Sequence, residues 1–152
     1  LRVEGKTMSE TKSGFSAEER AAMKQRAEEL KAMKGVKGTA KKVKEFEACI
    51  AAIEALEGTD RAVAQRLHVI VLEEAPHLDP KTWYGFPTYA KEGKNIVFYQ
   101  PATKFGTRYG SIGFEENANL DDGAMWPVAF AVTEMTDGVE QRLRELVRQA
   151  AS

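Results

Sequence analysis

The chain has 152 residues, with 22 Lys and Arg against 23 Asp and Glu, a formal charge of −1, and 43% hydrophobic and 30% charged residues. That balance excludes a disordered chain, a disulfide scaffold and a bilayer span, which needs about 20 consecutive apolar residues. Near-neutrality also speaks against a dedicated nucleic-acid binder, whose domain is normally basic.

At this length one domain is expected, and enough surface is buried to fold without a metal or a disulfide. Residues 1–15 are expected to stand outside the fold, disordered or an extension ahead of a natural start at Met8-Ser9-Glu10. Ser16-Ala17-Glu18-Glu19 is a capping box, and Met23, Ala27, Leu30 and Met33 recur at helical spacing, so a first helix is predicted over 17–33. Its stripe is thin and its surface charged, the pattern of a loosely docked extension. Lys31 to Lys44 holds six lysines and no acid, with Gly35 and Gly38 inside it, and reads as a solvated hinge or as a basic patch for an anionic partner. Residues 16–42 are thus assigned to an N-terminal helix and linker, and 43–152 to the main domain.

In that domain Val43, Phe46, Ile50, Ile53 and Leu56 predict a second helix ended by Gly58. Asp60 is placed as the N-cap of a third, with Val63, Leu67, Ile70 and Val71 inward and Pro76 beyond its end. From Thr82 the chain turns aromatic, β-branched and punctuated by Gly and Pro. Thr88–Ala90 and Asn95–Tyr99 around the turn at Glu92-Gly93 predict a β-hairpin, followed by strands at 104–114 and 128–132. Asp137 and Glu140 open a last helix with Val139, Leu143, Leu146, Val147 and Ala150 as its buried stripe. Helices, a meander, then a helix predict an α+β two-layer sandwich, an antiparallel sheet of about four to five strands packed by N- and C-terminal helices.

Three constellations carry chemistry. Trp83, Tyr84, Phe86 and Tyr89 fall within seven residues around Gly85 and Pro87. They read either as one wall of a ligand pocket, with Phe98 and Trp126 assigned to the same pocket, or as a core corner. Arg108, placed on a strand between Gly106 and Gly110, reads either as a guanidinium with room beside it for a carboxylate or phosphate ligand, or as part of a bulge. Seven carboxylates and no Lys or Arg occupy the 33 residues from Tyr109 to Gln141. Among them Glu115, Glu116, Asp121 and Asp122 flank a short loop, as candidate oxygen ligands for a hard divalent cation or as a solvated acidic face. Cys49 is the sole cysteine, which rules out an intrachain disulfide, fits a reducing compartment such as the cytoplasm, and beside Ile50 reads as a buried, inert thiol. His68 and His77 have no further donors nearby for a zinc site. Phosphate loop, dinucleotide fingerprint and nucleophile elbow are all missing, and no nucleophile–base pair can be named, so binding is expected rather than catalysis.

Glu74-Ala75-Pro76 followed by Tyr84-Gly85-Phe86-Pro87-Thr88-Tyr89, then Gly93 and Val97-Phe98-Tyr99, resembles the YdhG-like bacterial family over residues 43–150. The resemblance implies a frataxin-like fold and, from members described as iron chaperones, weak Fe(II) binding by surface carboxylates for delivery to iron–sulfur or haem assembly proteins. No cofactor is required on this reading, and a monomer or small homo-oligomer is expected. The alternatives are a small-molecule module gripping an anionic ligand with Arg108, and an interaction domain docking through Lys31–Lys44.

Overall fold

A computed structural model describes residues 15–35 and 37–152; the expectations for 1–14 lie outside the described residues. Helix α1 (Ala17–Ala32) starts at the capping box, with Glu19 N–H donating to the Ser16 hydroxyl and Ser16 N–H to the Glu19 carboxylate. Helix α2 (Gly38–Glu54) begins well inside the lysine-rich stretch expected to be linker, and Val43 and Phe46, expected inward, are exposed. Cys49 and Ile53 are its buried residues. The connection from α1 is therefore short, and Lys44 reaches back to donate to the Ala32 carbonyl, placing a cation at the C-terminus of α1.

Helix α3 (Gly58–Glu74) buries Val63, Ala64, Leu67, Ile70 and Val71. Its N-cap is Glu57, not Asp60, which lies inside the first turn with its side chain turned to another element. Strands β1 (Asp79–Trp83), β2 (Phe86–Lys91) and β3 (Lys94–Gln100) follow. Both hairpin turns use two left-handed residues, Tyr84 and Gly85 at φ 55° and 80°, then Glu92 and Gly93 at 51° and 85°. Such turns match the strand twist. The single strand expected over 104–114 is instead a short helix, α4 (Ala102–Phe105), a loop, and β4 (Gly110–Phe114). Strand β5 (Ala129–Val132) and helix α5 (Asp137–Ala150), capped by the Thr136 hydroxyl, complete the chain.

The five strands form one antiparallel sheet in sequence order, so the fold is α+β with helices packed on the sheet. Tyr89 pairs with Val97 and Val97 with Phe114, while Tyr99 pairs with Ile112 and Ile112 with Phe130. Paired residues share a face, and this face meets α2, α3 and α5 to form the core with Leu67, Ile70, Leu143 and Val147. A charged seam zips α3 to α5: Arg66 grips Glu140 at 2.6 Å, Arg144 reaches Glu73, Glu74 and Glu140, and Arg148 reaches Glu74 at 2.7 Å.

A candidate acidic cleft and the fate of the predicted sites

The chain leaving β4 makes a loop that is held at both ends. Glu115 N–H donates to the Ile96 carbonyl at 3.0 Å and Phe114 N–H to that of Val128 at 2.8 Å. Asn119 donates from its backbone to Ala150 and from its side chain to Ser152, tying the loop to the end of α5. Ala118 and Leu120 plug into the core. With those anchors set, Phe114, Ala118, Ala124, Met125, Trp126 and Val128 form the apolar lining of a cleft of about 640 Å³ that also takes in Glu115, Glu116 and Asp121. Met125 is 88% exposed and Trp126 half-buried.

Three of the four predicted acidic residues thus meet Trp126 in one place, and Asp122 is exposed outside the lining. Among the described residues none of the four carboxylates is held in a salt bridge, so their charge is uncompensated locally. Also among the described residues, no three His, Cys, Asp or Glu side chains stand together as a ligand set for a metal ion.

The aromatic residues expected along one wall divide between three places, with Trp83, Tyr84, Phe86 and Phe98 together in one of them. Trp83 and Phe86 pair across the first hairpin, and Thr88, two residues on, pairs with Phe98, so these side chains share the sheet face away from the core. There Phe86 stacks on Phe98 at 5.9 Å, Trp83 meets Tyr84, Phe86 and Phe98 edge-on, and Phe105 closes on Phe86 at 5.6 Å. Tyr89 points to the opposite face and is fully buried, and Trp126 sits in the acidic cleft. Period-two alternation separates Phe86 from Tyr89 because they are an odd number of residues apart.

Arg108 is not on a strand. It follows Gly106, which ends α4 at φ 64°, and its guanidinium lies 5.2 Å from the Tyr109 ring centroid, over a cleft of about 430 Å³ bordered by Gly58, Asp60 and Thr103. The space above Gly110, expected to leave room for a ligand, is filled by the ring of Tyr99.

Two buried polar clusters escaped the sequence reading. The Asp60 carboxylate accepts from Tyr99 Oη at 2.6 Å, from the Ala102 and Thr103 amides at 2.8 and 3.0 Å, and from the Thr103 hydroxyl. Burial alone would raise its pKa, yet these donors outweigh it and hold the carboxyl below the usual range. On the other side of the core Tyr89 Oη lies 2.9 Å from His68 Nδ1 and 4.0 Å from the Cys49 thiol. Burial pushes the thiol up to about 11 and lowers His68, so Cys49 is protonated and His68 is neutral, sharing a hydrogen bond with the Tyr89 hydroxyl through Nδ1. His77 donates from Nε2 to the Ala151 carbonyl. An Asp just inside a helix and a His one step off an apolar stripe were the available signals, and each also fits an ordinary surface position.

Comparison with family models, with curated proteins and with solved structures returned no match to this chain.

Proposed function

We propose that the chain acts by binding, and that the Glu115–Trp126 cleft takes an organic cation, an alkyl- or aryl-ammonium group carrying an apolar substituent. The observation that supports this is the composition of the lining: uncompensated carboxylates beside Phe114, Ala118, Met125 and Trp126. An ammonium with a hydrocarbon tail gains from both parts, by attraction to the acids, by contact with the indole face and by burial of the tail. A bare divalent cation gains only from the oxygens and wants six or so around it. Fe(II), implied by the family resemblance, would need water to complete its shell here, and is the competing occupant.

The test is a fluorescence titration of Trp126 in a Trp83→Phe background with phenethylammonium, anaerobic Fe(II) and Mg(II). Saturable quenching by the amine is expected, lost when Glu115, Glu116 and Asp121 become amides. Saturation by Fe(II) without response to the amine would replace this reading with metal carriage. Equal weak responses to all three would reduce the cleft to a solvated acidic face.

A further inference from the structure

The turn between β1 and β2 leaves its two central amides free of strand pairing, because Trp83 pairs directly with Phe86. Successive amides in a tight turn can face one side, as a concave receptor for an anion. That receptor is filled by helix α1. Glu29 takes the Tyr84 amide on Oε1 at 3.1 Å and the Gly85 amide on Oε2 at 2.7 Å, and Arg26 donates to the same carboxylate at 3.2 Å. Lys104 stands beside them, donating to the Tyr84 carbonyl and to the side-chain oxygen of Gln25. The Glu29 side chain is 13% exposed.

Among the described residues the rest of α1 buries little. Ala22 is its buried residue, while Met23 and Leu30 are exposed. The connection to α2 is short and carries left-handed Gly35 and Gly38. The occupant is also imperfect. Gln25 offers Lys104 a neutral amide, and a second cation, Lys81, lines a crevice with Arg26, Glu29 and Leu30 of α1. Burial lowers the pKa of both lysines even though Glu29 already acts on each and Glu45 on Lys81, so a further carboxylate would be favoured there.

We infer that the Tyr84–Gly85 turn with Lys104 is a carboxylate-recognition site for a helix of a partner protein that carries two glutamates one turn apart, and that α1 is its built-in, exchangeable occupant. The chemistry of the partner follows from α1 itself. It has a small residue where Ala22 stands, a Glu one turn later to replace Gln25 on Lys104, and a second Glu one turn beyond that for the two amides. A partner of that pattern gains a charge-assisted hydrogen bond that α1 lacks.

The test uses the full chain carrying Glu29→Gln, titrated with labelled peptides spanning residues 15–34 in native, Gln25→Glu and Glu29→Gln form. The native peptide should bind, the Gln25→Glu peptide about tenfold tighter and the Glu29→Gln peptide at least about tenfold weaker. Binding should shift the Tyr84 and Gly85 amide resonances, and the wild-type chain should bind each peptide more weakly because its own α1 competes. Adding Lys104→Met should erase the Gln25→Glu advantage while the native peptide still binds, a comparison that also works in the wild-type background. Equal affinity for all three peptides, or no binding, would overturn the proposal. So would concentration-dependent dimerisation of the Glu29→Gln chain that peptide cannot reverse, which would assign the groove to a second copy.

Discussion

At Asp60 a buried negative charge is tolerated because four donors converge on it, two of them the first amides of α4. The residue therefore fixes three elements at once, α3 by its own backbone, β3 through Tyr99 and α4 through its amides. His68 sits in the opposite situation, a neutral imidazole kept so by burial while hydrogen-bonded to Tyr89. Both make the fold acid-sensitive, in different windows. The folded pKa of His68 lies below its unfolded value, so the unfolded chain binds more protons and stability falls as the pH drops below about 6.5, levelling off beneath the folded pKa. Asp60 also has a lowered pKa, so its contribution is present above the unfolded value near 4 and is lost as pH falls through the folded one. Urea midpoints measured between about pH 7.5 and 3 should fall in two steps. His68→Gln should remove the upper step, and Asp60→Asn should shrink the lower one while costing about 2–3 kcal/mol at neutral pH. A single acid step unchanged by either substitution would contradict this assignment.

Helix and strand positions were legible where one period ran undisturbed. The stripe from Val63 to Val71, the Asp137–Ala150 helix and the hairpin about Glu92-Gly93 all formed where expected, since each pattern has one way to bury its apolar side. Legibility failed where a residue's partner came from far along the chain. Gly106 and Gly110 look alike in sequence, yet Gly106 ends a helix in a left-handed conformation while Gly110 lies on β4 under the Tyr99 ring. No local pattern distinguishes them, and Arg108 was misplaced on a strand for that reason. The acidic cleft was half legible: the charge run marked Glu115, Glu116 and Asp121, but the apolar lining needed the loop to fold back. The Gly110 contact gives a sharp expectation. A Cβ there would strike the hydroxyl and ring of Tyr99, a fully buried side chain tethered to Asp60 that cannot swing aside. Gly110→Ala should therefore cost about 1–3 kcal/mol by overpacking, read from the urea midpoint, whereas an alanine over open space would not. In a double-mutant cycle with Tyr99→Phe, which itself costs a donor to Asp60, Gly110→Ala should cost less than in the parent chain, because the closest contact is gone.

Across the whole molecule, the two sheet faces are covered by different means. One is sealed by α2, α3 and α5 around a continuous core, and the other carries the aromatic shelf of Trp83, Phe86 and Phe98 with α1 attached through Glu29 and Gln25. Such a division predicts two tiers of stability, because among the described residues opening α1 sacrifices a few polar contacts and one small buried residue, whereas opening the core exposes Leu67, Ile70, Tyr89 and Val147 together. Proteolysis reads the open population directly when reclosing outpaces cleavage. Trypsin should cut first after exposed Lys34 and Lys37, leaving a fragment from Gly38 to Ser152 that persists long after α1 is released. Glu29→Gln should speed this first cut without speeding loss of the fragment, since the carboxylate holds α1 and touches nothing in the core. Release should also redden the emission of Trp83 in a Trp126→Phe background, as the shelf becomes wet. First cuts inside α3 or the sheet, or a fragment that vanishes as fast as it forms, would mean that α1 belongs to the cooperative core. The acid-labile groups would then unfold the molecule as a single unit, with no separable strap.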